Sequence, residues 1–274
     1  MNQTSSPRIA FIGGGNMASA IIGGLIGRGV PLDHITVVEP FEAARAALQT
    51  KFGITALHAA SAALAGQDLV VWAVKPQSFK DAAAPVAAHT SQALHLSVAA
   101  GITTDSIAQW LGTHRIVRAM PNTPALVGKG MTGLFARPEV NTQGQALIER
   151  VIGSTGQFLW VDAEDKLDAV TAMSGSGPAY VFLFLEAMTQ AGVDMGLTAD
   201  QSYQLAVATF QGATELAARS DESASVLRER VTSKGGTTYA AITHMQHTEL
   251  PQHFIAALRK AEARAKELAA EFGK

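Results

Sequence analysis

Residues 8–18 constrain what this chain can fold into more than any other stretch. Residues 8–12 (R-I-A-F-I) are a short apolar run of strand composition. Gly13-Gly14-Gly15 follows at once, and residues 16–28 open a helix rich in small side chains. Strand, glycine turn and helix in immediate succession read as G-x-G-x-x-A. Gly13 permits the tight turn, Gly15 leaves the backbone open to a pyrophosphate, and Ala18 lets the helix pack close to the strand. The first turn of such a helix presents free N–H groups and a partial positive charge to phosphates. A glycine turn alone is a weak signal, but here the flanking strand and helix are both present. Ile12, Gly13, Gly14, Gly15, Asn16, Met17 and Ala18 are therefore expected to form a dinucleotide site.

The rest of the first half repeats the pattern. Strand-like runs fall at residues 35–38, 69–74, 94–98 and 115–119, with a second helix at 41–51. The 69–74 run is apolar throughout, as a parallel strand covered on both faces would be. Strands separated by helices of this length imply a doubly wound (Rossmann) parallel sheet, ending with strands at 133–136 and 156–161. From Asp165 onward strand signals stop. Thr198 and Gln201 form a capping box before a helix reaching Arg219. Near the C-terminus Phe254, Leu258, Ala261, Ala265, Leu268 and Phe272 make one apolar stripe at helical spacing, and Arg259, Lys260, Arg264 and Glu267 lie off it on a solvated face. The expected organisation is α/β over residues 1–163, followed by an all-α domain over 164–274.

Composition removes several function classes. Lys and Arg number 21 against 23 Asp and Glu, a net charge of −2, so bulk charge does not attract nucleic acid. There is no cysteine, hence no disulfide scaffold, thiolate metal site or cysteine nucleophile, and no metal is expected. The stretch from Met1 to Pro7 is polar, without the apolar run of a secretory signal. The longest apolar stretches, such as 17–26, are about half a membrane span and contain glycine. A cytoplasmic protein with no membrane partner is expected.

Other candidate residues follow the strands. Glu39 ends the second strand, 21 positions past Ala18, where an acid accepts from a ribose 2′-OH; the other reading is a strand-end carboxylate turned to solvent beside Pro40. Arg45 is close enough in sequence to meet a 2′-phosphate, so NAD(H) and NADP(H) both stay open. Ala73, Val74, Lys75 and Pro76 follow the third strand, and Ala99, Ala100 and Gly101 the fourth, at the edge where such sheets bind ligands. Met120 and Pro121 begin a loop stiffened by two prolines. In the second half, the glycines and proline of residues 174–178 interrupt a helical pattern, a kink or a close backbone approach. Thr232-Ser233-Lys234-Gly235-Gly236-Thr237-Thr238 precedes another helix, with N–H groups and hydroxyls suited to a carboxylate or phosphate; a simple N-cap at Thr237 or Thr238 explains only one hydroxyl of the cluster.

Taken together, residues 12–18, 73–77, 99–101, 120–124, 174–180 and 231–238 resemble the pyrroline-5-carboxylate reductase family, in that family's order along nearly the whole chain. Two positions depart: Lys234 where the family often has proline, and Ala59-Ala60 where it often has an asparagine at the cofactor. The resemblance implies reduction of 1-pyrroline-5-carboxylate to L-proline by NAD(P)H, the final step of proline biosynthesis. It implies that Ser233, Gly235, Gly236, Thr237 and Thr238, with Met120 and Pro121, hold the substrate. In that reading the N–H groups of Gly236, Thr237 and Thr238 take its carboxylate, Thr238 is the catalytic hydrogen-bonding partner of the imine nitrogen, and Asp221 or Glu222 balances the charge of a protonated imine. It also implies a helical domain that pairs two chains, a substrate site between one chain's cofactor domain and that helical dimer, and assembly up to a decamer. Two rivals are a Rossmann oxidoreductase of the β-hydroxyacid dehydrogenase type and a non-catalytic nucleotide sensor. The first needs a lysine and an asparagine on the helix after its central glycine-rich segment, and residues 178–197 contain neither. The second has no need of an intact 233–238 cluster.

Overall fold

Short β-branched and apolar runs become the strands of one sheet. In the computed structural model, which describes residues 6–272, these are β1 (Ile9–Ile12), β2 (Ile35–Val38), β3 (Leu69–Trp72), β4 (Leu94–Ser97), β5 (Ile116–Met120), β6 (Gly130–Ala136) and β7 (Gly156–Trp160). Residues 1–5 of the polar leading stretch lie outside the described part. The order is β2-β1-β3-β4-β5-β6-β7. The first five strands run parallel. β6 is antiparallel to β5 and β7 is parallel to β6, so the last two run against the rest.

Period-two alternation sends side chains to opposite layers. Ile9 and Phe11 join the layer built by α1 (Asn16–Gly27), α2 (Glu42–Phe52) and α5 (Thr142–Ile152). Ala10 and Ile12 join the layer built by α3 (Pro76–Ala87) and α4 (Thr104–Leu111). His95 on β4 is fully covered, its Nδ1 accepting from Trp72 Nε1–H at 3.1 Å. Burial pushes its imidazole down to about 4, partly opposed by a hydrogen bond with the Thr90 backbone and reinforced by Arg115.

After β7 the chain stays on the sheet. Glu164 accepts from the Thr104 N–H at 2.8 Å, capping α4 from a distance, and from buried Arg118 at 3.1 Å. Leu167 and Val170 of α6 (Lys166–Val170) lie against Gly133 of β6. Burial raises the carboxyl of Asp168, opposed by Arg118 and Lys266. A π-helical turn, Thr171–Gly175, follows.

The chain divides into two compact units: Met1–Ser176 with Ala261–Lys274, and Gly177–Lys260. The sequence boundary at 163/164 marks the last strand, whereas packing of α6 and the π turn carries the first unit to Ser176. The second unit holds α7 (Gly177–Asp194), α8 (Ala199–Ala218), α9 (Ala224–Arg230), α10 (Thr237–His247) and the first half of α11 (Leu250–Phe272). The capping box ahead of α8 is present, Thr198 Oγ1 accepting at 3.2 Å and Gln201 Oε1 at 3.0 Å. Phe184 packs on Phe210 and Phe254. The apolar stripe of α11 is divided: Ala265 is buried, Leu268 backs onto Gly101 and Phe272 joins the α3–α4 layer, all within the first unit. Phe182, Leu183, Leu205 and Leu216 of the second unit stay more than half exposed. Among the described residues no helix is long and apolar enough to cross a membrane.

Candidate active site

Because β1 to β5 are parallel, the segments singled out after them share one edge of the sheet, in the order Glu39, Gly13–Gly15, Ala73–Pro76, Ala99–Gly101 and Met120–Pro121. Backbone bonds hold these loops to their neighbours. The Gly13 N–H donates to Val38 O at 2.8 Å, Ala73 N–H to Ile12 O at 2.8 Å, and Val98 N–H to Trp72 O at 3.0 Å.

Gly13 has φ +96°, and a Cβ there would meet Ala73 O at 2.6 Å, so this turn demands glycine on both counts. Gly15 is different. Its φ of −70° suits any residue, and a Cβ there would meet nothing within 4 Å. It N-caps α1 with no side-chain cap, so open space lies before free helical N–H groups. Ala18 is completely buried against the strands, while Asn16 is exposed and Met17 half-buried at the mouth. Lys75 is exposed and N-caps α3 with Pro76 at its first position. Ala99 is buried, Ala100 exposed and Gly101 buried under α11. A dinucleotide fits this arrangement: its pyrophosphate has a cradle a side chain would fill, and its ribose and phosphate oxygens have donors to meet.

Glu39 is not turned to solvent. It is 5% exposed, Oε2 accepting from the Gly14 N–H at 2.7 Å and Oε1 from the Phe41 N–H at 2.9 Å. Arg45 Nη1 donates to the carbonyls of Glu39 at 2.9 Å and Pro40 at 2.7 Å.

Met120 is half-buried and Pro121 buried at the end of β5. Between Pro121 and Pro124 sits a residue that the sequence reading did not single out. Asn122 Oδ1 accepts from the Met131 N–H at 2.9 Å, and Nδ2 donates to Ser174 Oγ at 3.1 Å and Ser174 O at 3.3 Å. One amide thus ties the loop to β6 and to the π turn. An asparagine enclosed by prolines was the available signal, since such a loop has few backbone donors of its own.

In the second unit, Gly235 has φ +76° and Gly236 N-caps α10 with no side-chain cap. The alternative reading of Thr237 or Thr238 as a simple N-cap does not apply; these are the first two helical residues. The Gly236 N–H donates to Ser233 O at 3.0 Å, closing a turn, so the free donors are the N–H groups at the start of α10. Ser233 Oγ lies over Gly236, where a Cβ would meet it at 2.7 Å. Ser233, Gly235 and Thr237 are exposed and Thr238 half-buried. Glu222 is engaged by Arg230 at 2.5 Å, and Asp221 is exposed.

Residues 164–268 match the family model for pyrroline-5-carboxylate reductase dimerisation, and residues 8–101 match that for NADP oxidoreductase, coenzyme F420-dependent. A pyrroline-5-carboxylate reductase of Pseudomonas aeruginosa is 42% identical over 271 residues, covering 98% of this chain and 99% of the relative. The chain belongs to the pyrroline-5-carboxylate reductase family. A Haemophilus influenzae reductase is 40% identical, covering 95% of this chain and 97% of its own. Among solved structures, the Coxiella burnetii pyrroline-5-carboxylate reductase aligns with a TM-score of 0.91 and 39% identity over 97% of this chain and 99% of that one. The Plasmodium falciparum enzyme, solved with NADP bound, aligns at 0.85 and 26% identity over 96% and 98%. Membership in this reductase family brings an NAD(P)H cofactor and a dimerisation domain to the chain, and the exposed apolar side chains of α7 and α8 lie within that domain.

Proposed function

We propose that this protein reduces 1-pyrroline-5-carboxylate to L-proline with NAD(P)H. The observation that carries the reading is the joint presence of an open phosphate cradle at Gly15 and an uncapped, hydroxyl-flanked helix start at Gly236, in a chain 42% identical to a reductase of that name.

The substrate is a cyclic imine bearing a carboxylate. Its C=N carbon must receive a hydride and its nitrogen must carry a proton. Bound reduced nicotinamide supplies the hydride; everything else falls to the chain. Gly13–Ala18 and residues 73–76 and 99–101 hold the dinucleotide at the sheet edge. The N–H groups of Thr237 and Thr238 with the Ser233 hydroxyl take the carboxylate, a charge-assisted interaction at a helix N-terminus. Thr238 Oγ1 hydrogen-bonds the ring nitrogen and orients it. An alcohol is a weak acid, so an imine that binds already protonated removes the need for a strong one. Among the described residues Asp221, unlike Glu222, has no ion pair to release before meeting that charge. Met120 and Pro121 form a fixed wall at the end of β5. The active form is a homodimer through the second unit, with a decamer as the larger assembly, in the cytoplasm and without nucleic-acid or membrane partners.

Incubation of the purified protein with 1-pyrroline-5-carboxylate and either nucleotide is expected to oxidise the nucleotide and release proline in equal amounts. Nucleotide binding without proline formation would instead favour the sensor.

A further inference from the structure

The adenosine end of a dinucleotide seated on a glycine turn crosses the carboxyl end of the second strand, where the protein reads the ribose 2′ position. In this chain that position is held by Glu39, and its carboxylate is one hydrogen bond, 2.7 Å, from the Gly14 N–H of the turn itself. Each carboxylate oxygen takes one backbone N–H, from Gly14 or Phe41, and retains capacity to accept another hydrogen bond. A ribose 2′-OH is a donor and suits it. A 2′-phosphate is an acceptor carrying about two negative charges, and suits it poorly.

The surroundings do little to reverse this. Residues 40–44 (P-F-E-A-A) contain no hydroxyl and no lysine, and Glu42 adds a second carboxylate in the first turn of α2. Arg45 is the nearest cation in sequence, and its Nη1 is committed to the carbonyls of Glu39 and Pro40. His58 follows Leu57, whose backbone pairs with the end of β2, and is exposed. Neither side chain makes a hydrogen bond or ion pair with the Glu39 carboxylate among the described residues.

We infer that Glu39 makes this enzyme select NADH over NADPH. The inference rests on the reading of this edge as the nucleotide site.

The test uses the full-length protein and two readouts. Calorimetric titration with ADP-ribose and with 2′-phospho-ADP-ribose reads the 2′ preference without turnover. The first is expected to bind about tenfold tighter or more. Steady-state kinetics with 1-pyrroline-5-carboxylate should then show kcat/KM higher for NADH than for NADPH by a similar factor. Glu39→Gln keeps an acceptor for the Gly14 N–H while removing the charge, and is expected to close most of that gap in both readouts. Equal or reversed binding of the two ligands by the unaltered protein overturns the inference, whether or not the variant folds. So does a Glu39→Gln protein that keeps the full discrimination. Failure of the reductase reading looks different: no proline forms with either nucleotide, while the titrations still report a preference.

Discussion

At the residue scale, the proposed mechanism gives the two helix starts separate tasks, α1 the nucleotide and α10 the substrate. Thr238 is half-buried in the first turn of α10, where alanine is well tolerated by a helix, so its removal tests chemistry rather than folding. Thr238→Ala is expected to lower kcat/KM for 1-pyrroline-5-carboxylate by roughly tenfold or more, the loss of one hydrogen bond to a charged group at about 1.5–3 kcal/mol, while nucleotide affinity stays unchanged. Wild-type kinetics in the folded variant would remove Thr238 from the mechanism. Gly15 gives a complementary test. Its φ of −70° and the empty space around it mean that Gly15→Val folds normally, yet the new side chain fills the pyrophosphate's place. Calorimetry with NADH and NADPH should show binding nearly abolished; unchanged affinity would reduce the glycine turn to a structural device.

At the scale of elements, what the sequence revealed depended on whether the signal was local. The first strand, turn and helix were legible because Ile9–Ile12, Gly13–Gly15 and Ala18 each have a short-range reason to be there. The capping box at Thr198 and Gln201 was legible for the same reason. The reversal at β6 was not: a strand's direction is fixed by the path of the preceding loop, and the Gly130–Ala136 pattern reads alike both ways. The fate of the α11 stripe was hidden too, since periodicity identifies an apolar face but not what covers it. Nor did spacing announce that Glu39 turns back onto Gly14, or that Asn122 joins three segments. That last residue carries an element-scale prediction. Asn122→Ala leaves the Met131 N–H without its acceptor and frees the Met120–Pro124 loop from the π turn. The free energy of unfolding should fall by about 1–3 kcal/mol in urea titration. A variant as stable as the wild type would show that the amide tether carries no weight.

For the whole molecule, acid acts on the fold through a buried histidine. His95 of β4 is held neutral by burial against Trp72 of β3, its value lowered from 6.5 to about 4. Between those values the unfolded chain binds a proton that the folded chain refuses, so stability is full above pH 6.5 and falls as pH drops toward 4. At about 1.4 kcal/mol per pH unit the loss reaches about 3 kcal/mol. Asp168, whose carboxyl is raised by burial, works in the opposite direction and offsets part of it. His95→Gln retains an acceptor for Trp72, and its unfolding free energy should vary less between pH 6.5 and 4 than that of the wild type. Parallel curves for the two proteins would contradict this assignment. The central claim, that this protein reduces an imine with hydride from a bound nicotinamide, is tested most directly by following the hydride. With NADH or NADPH carrying deuterium at nicotinamide C4, turnover of 1-pyrroline-5-carboxylate should place one deuterium per proline on the ring carbon that was doubly bonded to nitrogen. Proline without deuterium from either face of the labelled nicotinamide, or oxidised nucleotide without proline, would contradict it.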